Sequence, residues 1–350
     1  MTVIAVAISG GVDSLVAAFL LKQQGHDIVG LHFRTGYEQP SGRHGSPASP
    51  AHDMAEISRQ LDIPVDILDI SETFRRTVVA YFTSTYQDGR TPNPCLFCNP
   101  TIKFGHILSL ARERGAEALA TGHYARLQTG PDGRRHLHRG VDPGKDQSYF
   151  LARLNQEQLQ QALFPLGDLT KDEVRAIARR HHLVPAMGQE SQDICFIKDT
   201  PYHLFLQQQE GFRPQEGLIE NTQGRVLGRH KGLHLFTVGQ RRGINCPAPE
   251  PYYVVRLDHA RNRLVVGKRT DLAGDTATVA DINWIHRPER FPARVTAQIR
   301  YRHKAAPAVV TETAPAEALL RFESPQDAIT PGQGAVFFDK DEVLGGGWIL

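Results

Sequence analysis

Residues 3–8, Val-Ile-Ala-Val-Ala-Ile, form an unbroken apolar run that ends in Ser9-Gly10-Gly11-Val12-Asp13-Ser14 and leads directly into LVAAFLLKQQG. A run with no polar alternation is a strand covered on both faces, and such strands belong to parallel sheets flanked by helices. The segment after the glycines has apolar residues at helical spacing and is stopped by Gly25. Strand, glycine turn and helix in this order commit the first half of the chain to an α/β layer structure, with a ligand-sized opening at the first turn.

The alternation continues. DIVGLHF (27–33) and PVDILDI (64–70) read as strands around a helical DMAEISRQLD (53–62), and a helix over 106–114 precedes a strand in EALATGHYA (117–125). Together they predict a doubly wound parallel sheet. Residues 36–52, rich in Gly, Pro, Ser and His, read as a loop. After about residue 200 the pattern changes to short β-type runs: GRVLGRH, HLFTVGQ, YYVVRLD and NRLVVGKR, then ATVADINWI, ARVTAQIRY, AVVTETA, EALLRFE, GAVFFD and EVLGGGWIL. Such spacing suggests small barrels. The expected organisation is a catalytic α/β domain over 1–203, a small β-rich domain over 204–269 and a C-terminal β-barrel over 270–350.

Hydrophobic residues make up 40% and charged residues 22% of the 350, as in ordinary globular chains. No stretch approaches the roughly 20 apolar residues of a membrane span. The apolar start lacks a basic leader and runs into the glycine turn, so a cytoplasmic protein without a membrane partner is expected. The net charge of +2 hides a basic stretch at 284–304, where Arg287, Arg290, Arg294, Arg300, Arg302 and Lys304 face one acid, Glu289. Such a stretch either neutralises phosphates or is a solvated face.

Three motifs carry chemistry. In SGGVDS, two glycines let backbone approach a ligand, and backbone N–H groups with two hydroxyls at a helix N-terminus form an anion cradle. The lysine and spacer of a Walker loop are absent. The competing reading is a tight turn with Asp or Ser as helix cap. Asn93-Pro94-Cys95-Leu96-Phe97-Cys98 carries a C-x-x-C expected on a loop, with Lys103 near enough in sequence to favour thiolate. An inert buried pair or half of a zinc site are the alternatives. Cys195, in SQDICFI, is alone as readily a small buried hydrophobe as a reactive thiol.

SGGVDS resembles the PP-loop of the ATP pyrophosphatases, which cleave ATP between its α and β phosphates. With NPCLFCN and IKF, TGHYAR (121–126), GKDQSYFL (144–151), SQDICFI, HKGLHLFTVGQRRG (230–243) and GQGAVFFD (332–339), the order of motifs is similar to that of the tRNA-specific 2-thiouridylases over nearly the whole chain. The resemblance implies that Ala7, Ile8, Ser9, Gly10, Gly11, Val12, Asp13 and Ser14 bind ATP, with Phe33 at the adenine, Gly122 lining the nucleotide pocket and Mg²⁺ near Asp13. It implies tRNA contacts at Asn93, Pro94, Cys95, His123, Lys145, Asp146, Gln147, Arg300, Tyr301 and Gln333. It makes Cys98 and Cys195 the catalytic pair, Cys195 carrying a persulfide, with a sulfur-donor protein or sulfide as the source of sulfur.

The implied reaction adenylates the 2-oxygen of the wobble uridine, position 34, releases pyrophosphate, and replaces AMP by sulfur with a Cys98–Cys195 disulfide as by-product. Three departures stand out. Cys95 replaces a common Asp, His32-Phe33-Arg34 replaces a Met- and Trp-containing stretch, and Cys246 replaces a frequent glycine. The first opens a second sulfur route, a [4Fe–4S] cluster held by Cys95, Cys98 and Cys195. Rival readings are another ATP pyrophosphatase ligase, which needs neither paired thiols nor a basic barrel, and a non-catalytic tRNA-binding protein.

Overall fold

The computed structural model describes residues 3–38, 50–186, 194–197, 200–247 and 249–350. Most of the expected 36–52 loop, and the start of the SQDICFI motif, lie outside the described residues. Two compact units are formed: residues 1–77, 95–198 and 341–344 make the first, and 78–94, 199–340 and 345–350 the second.

In the first unit, β1 (Val3–Ala7), β2 (Asp27–Arg34), β3 (Val65–Asp69) and β4 (Ala118–Ala120) are joined by helical crossovers, two of them α1 (Val12–Gln23) and α2 (Pro50–Leu61). A hairpin, β5 (Ala125–Thr129) and β6 (Arg135–Arg139), precedes β7 (Ala162–Leu163). The sheet order is β3-β2-β1-β4-β7, all parallel. The apolar run at the N-terminus explains the centre: Ile4, Ala5 and Val6 are at most 2% exposed because helices cover both faces. On α1, Leu15, Val16 and Ala17 are fully buried, and α1 packs against the Lys171–Arg180 helix. Each such aliphatic side chain contributes about 1.5–3 kcal/mol of burial. The chain leaves β1 toward β2 and β3 on one side and returns to β4 on the other. The topological switch point, where ligands of open α/β sheets bind, therefore lies at the carboxyl ends of β1 and β4.

The C-x-x-C segment is helical, not a loop as expected. Pro94–Cys98 is an α-helix with Pro94 at its first position, where a missing N–H costs nothing, and Asn99–Ile107 continues it as a π-helix. Gly105 permits the wide turn, since a Cβ there would lie 2.7 Å from the Pro100 carbonyl oxygen. Gln158 Nε2 donates to the carbonyls of Pro100 (2.7 Å) and Phe104 (3.1 Å), and Asn99 Nδ2 to that of Phe150 (2.9 Å).

In the second unit, β8 (Gly217–Asn221), β9 (Val226–His230), β10 (Tyr253–Asp258) and β11 (Arg263–Gly267) form a small sheet ordered β10-β11-β8-β9. Ile219, Val254, Leu264 and Val266 make its core. HLFTVGQ, expected as a strand, is instead a 3-10 turn over Leu233–Leu235 followed by a hydrogen-bonded turn from Thr237 to Gln240. Gly232, at φ +148°, redirects the chain before it, and His234 packs on Phe212. Then β12 (Ala273–Trp284), β13 (Ala293–Gln298), β14 (Ala306–Ala314), β15 (Glu317–Asp327), β16 (Gly334–Asp339) and β17 (Glu342–Ile349) run in the order β12-β15-β14-β13-β16-β17. Pairing of β12 with β17, Val279 opposite Ile349, closes the six-stranded barrel. The expected sheet, small β domain and barrel are thus all present.

Candidate active site

The turn after β1 is held open by its own hydroxyls. Ser14 Oγ donates to the Gly11 carbonyl (2.9 Å) and accepts from the Ser9 N–H (3.2 Å), while Gly11 N–H donates to Ser9 Oγ (3.4 Å). Gly10 sits at φ +87°, a conformation that favours glycine. The loop ends at the N-terminus of α1, where the helix dipole favours an anion.

Asp13 anchors this loop. Lys171 Nζ donates to both of its carboxylate oxygens, at 2.7 and 2.9 Å, and Tyr124 Oη donates to one at 2.8 Å. The Lys171 side chain is 5% exposed, so the pair is a buried one on the lysine side. Sequence reasoning missed Lys171 and Tyr124. The signals were a capping box, Thr170 with Glu173, which starts the lysine's helix, and the tyrosine inside TGHYAR.

The turn after β4 meets this loop at the switch point. A Cβ on Gly122 would lie 3.0–3.1 Å from the Asp13 backbone and side chain and the Ser14 nitrogen, so any larger residue would crowd this close approach. The neighbouring His123 points into the protein. Its Nδ1 lies 2.7 Å from Thr121 Oγ1 and its Nε2 3.4 Å from Lys103 Nζ. An ammonium only donates, so Nε2 carries the lone pair and Nδ1 the proton. Burial, and then the Lys103 charge, push the His123 pKa well below the ordinary imidazole value.

Lys103 leads on to the sulfur. Burial raises the Cys98 thiol to about 12, with Lys103 pulling it down and Cys195 and Cys95 pushing it up. Burial likewise raises Cys95 to about 11, with Cys195 adding to the rise and Lys103 opposing it. Cys95 and Cys98, three apart on one helix, share a face. Cys195 is exposed, and its neighbour Phe196 is edge-on to Phe74 at 5.6 Å, fixing the segment in the first unit. Among the described residues no cysteine is in a disulfide. Contacts therefore run from the phosphate-type loop through Gly122 and His123 to Lys103, whose charge acts on Cys95 and Cys98.

Residues 2–199 match the family described as tRNA methyl transferase HUP domain, 204–268 its PRC-barrel domain, and 274–349 an aminomethyltransferase beta-barrel domain. The chain is 51% identical over 346 residues to the tRNA-specific 2-thiouridylase MnmA of Desulfosudis oleivorans, covering 99% of this chain and 94% of that protein. It is 46% identical to the same enzyme of Trichlorobacter lovleyi, covering 100% and 98%, and 44% to that of Geobacter metallireducens, covering 99% and 96%.

The chain belongs to the tRNA-specific 2-thiouridylase family.

The other residues expected from the 2-thiouridylase resemblance fall in several places. Phe33 is half-buried near the end of β2, and Lys145 is half-buried in the turn before the Ser148–Leu151 helix. Asp146 and Gln147 turn inward. Asp146 accepts from Arg139 Nη1 (2.8 Å), Gly140 N–H and Ser148, and Gln147 Oε1 accepts from the Tyr124 N–H (3.1 Å). They brace the tyrosine that holds Asp13. In the second unit, Asn93 is buried and Gln333 Nε2 donates to the carbonyls of Thr91 and Pro92, both at 3.0 Å, fixing the approach to Pro94. Arg300 Nη1 donates to the Asp327 carbonyl (2.9 Å) and Tyr301 is half-buried, while Arg290, Arg294, Arg302 and Lys304 are exposed and Arg287 pairs with Glu312 (2.7 Å). Among the described residues no helix is long and apolar enough to cross a membrane.

Proposed function

We propose that the chain is a tRNA 2-thiouridylase that uses ATP to activate the 2-oxygen of the wobble uridine and replaces it with sulfur. The observation that carries this reading is the run of contacts from Ser9–Ser14 through Gly122 and His123 to Lys103, whose charge acts on Cys98. It gives one site both the means to grip a polyphosphate and a group of thiols.

A uracil 2-carbonyl is a poor electrophile with a poor leaving group. Attack of its oxygen on the α-phosphate of ATP forms an O–P bond and breaks the bond to pyrophosphate. Charge developing on pyrophosphate is met by the N–H groups of Ser9–Ser14 and the α1 dipole. Sulfur then forms its bond to C2, and AMP leaves carrying the former 2-oxygen. Cys195, exposed, is the thiol fitted to accept sulfane sulfur from a donor protein's persulfide, whereas sulfide would enter directly as the nucleophile. Cys98 is fitted to release it by attack on the Cys195 persulfide. The target base leaves the anticodon stack at a cost of a few kcal/mol, and exposed Arg302 and Lys304 are placed to pair with tRNA phosphates.

Direct Mg²⁺ ligation fits these residues poorly. Asp13 is the carboxylate of the loop, and both its oxygens are engaged by Lys171. Mg²⁺ is better read as entering on the ATP phosphates, with Lys171 as the protein's own cation. A [4Fe–4S] cluster is the second reading of the sulfur route. The mutual influence of Cys95, Cys98 and Cys195 favours it, because three cysteines near enough for their charges to act on one another would be a fitting donor set. Bound there, it would offer an open iron to hold sulfide.

The test is nucleoside mass spectrometry after incubating the protein with ATP, unmodified tRNA and a persulfide donor. The wild type forms 2-thiouridine, and Cys98→Ser and Cys195→Ser do not. Appreciable thiolation by either variant rejects the two-thiol route. Absence of product with the wild type rejects the function. A colourless, iron-free and active protein purified without oxygen rejects the cluster.

A further inference from the structure

The lysine between the nucleotide loop and the thiols has an unusual electrostatic setting. Lys103 is half-buried, and among the described residues no carboxylate pairs with it. Its one hydrogen-bond partner is the neutral Nε2 of His123, 3.4 Å away, which directs the ammonium without cancelling its charge. Three other partly covered cations of the first unit are compensated: Lys171 by Asp13, Arg139 by Asp146 and Arg126 by Asp341. A partly desolvated charge with no counter-ion is costly, and such charges persist where a ligand supplies the opposite sign.

The position of Lys103 is built in at several levels. Cys98 immediately precedes the π-helix and Lys103 follows five residues later, the spacing that i→i+5 hydrogen bonding brings onto one face. In an α-helix the two would diverge. His123 is itself fixed, by Thr121 Oγ1 on one nitrogen and by the rings of Phe104 and Phe164, with centroids 6.5 and 6.0 Å away. The charge of Lys103 acts on both Cys95 and Cys98.

We propose that Lys103, aimed by His123, is the binding position for the anionic sulfur that attacks the activated uridine. This rests on the thiouridylase reading and deepens it, since that reading gives the persulfide a thiol but leaves the hydrosulfide released from it without a receptor. With hydrosulfide as the nucleophile, a C–S bond forms at C2, the C2–O bond breaks with AMP, and the sulfur's proton passes to water. The lysine keeps its charge throughout. It lowers the energy of the bound anion and places it beside Cys98. His123 acts through Lys103 and is a positioning residue.

The experiment uses sodium sulfide as donor with the full chain, ATP and unmodified tRNA, and follows 2-thiouridine and pyrophosphate separately. Lys103→Met should raise the KM for sulfide about tenfold or more, the equivalent of one lost charge contact, with tRNA-dependent pyrophosphate release and the KM for ATP unchanged. Lys103→Arg should recover much of the sulfide affinity, and His123→Leu should show the sulfide effect in weaker form. An unchanged KM for sulfide in Lys103→Met overturns the proposal. So does a change in the KM for ATP in place of sulfide, which would make the lysine a phosphate ligand. If Lys103→Met is unfolded by circular dichroism, Lys103→Arg and His123→Leu decide by the same readout. A wild type that releases pyrophosphate but makes no 2-thiouridine sinks the thiouridylase reading, an outcome distinct from failure at Lys103.

Discussion

Removing the two partners of the Asp13–Lys171 pair one at a time should give unequal losses. The Lys171 side chain is 5% exposed and the Asp13 side chain 31%. Asp13→Ala takes both carboxylate bonds, 2.7 and 2.9 Å, from a cation that water barely reaches. Breaking a buried pair in this way costs about 3–5 kcal/mol. Lys171→Met leaves a carboxylate that water partly solvates and that still accepts from Tyr124 Oη at 2.8 Å, so the loss is smaller, about 1–2 kcal/mol. The assay must report on the first unit. Tryptophan fluorescence does not, because Trp284 and Trp348 both lie in the second unit. Hydrogen exchange of the Val12–Gln23 amides does. With each 1.4 kcal/mol worth about tenfold, Asp13→Ala should speed exchange more than a hundredfold and Lys171→Met about tenfold. Equal effects, or a larger one from Lys171→Met, would refute the assignment of the buried charge to the lysine.

Two further outcomes follow from the same electrostatics. His123 is held neutral in the fold, so below about pH 6.5 the unfolded chain binds a proton that the folded one does not, and stability falls as pH drops, by up to ~1.4 kcal/mol per unit; His123→Gln should flatten that slope in hydrogen exchange of the first unit, and an unaltered slope would show that the imidazole is not responsible. Arg300→Gln should weaken tRNA binding and reduce the steepness of log K against log salt by a little under one charge, and a slope identical to wild type would remove Arg300 from the interface.

What the sequence made legible depended on how local the cause is. SGGVDS could be assigned because a strand, two glycines and a helix start are contiguous, and the order of the motifs named the family. The helical state of Cys95 and Cys98 was hidden because Pro94 reads equally as a turn or as a first helical residue. The π-helix was hidden because its wide turn is held by Gln158, more than fifty residues on. The Asp13–Lys171 pair joins positions 158 apart, with no local pattern to announce it. Asp146 and Gln147 were found as part of a motif, and their contacts turn inward to Arg139 and Tyr124. HLFTVGQ alternates like a strand, yet Gly232 and the packing of His234 bend it into turns.

The two lysines of the site illustrate how charge balance can encode order of events. Lys171, at the end where pyrophosphate would sit, is neutralised by Asp13 in the resting protein, so the loop is stable before ATP arrives and a polyphosphate must compete with a carboxylate for the cation. Lys103, at the sulfur end, meets only a neutral imidazole among the described residues, with no carboxylate of theirs to compensate its charge. The thiols beside it are nevertheless held protonated by burial, with Cys98 raised to about 12. A site built this way attracts anionic sulfur while keeping its own Cys98 quiet. Thiolate there requires relief of that burial, and in the proposed reaction the extruded uridine is the component that would change it. The guard on Cys98 and the open charge on Lys103 therefore make one prediction together: sulfide should bind without tRNA, and Cys98 should become reactive toward a small alkylating agent only with tRNA present. Rapid alkylation of Cys98 in the tRNA-free protein would break that link.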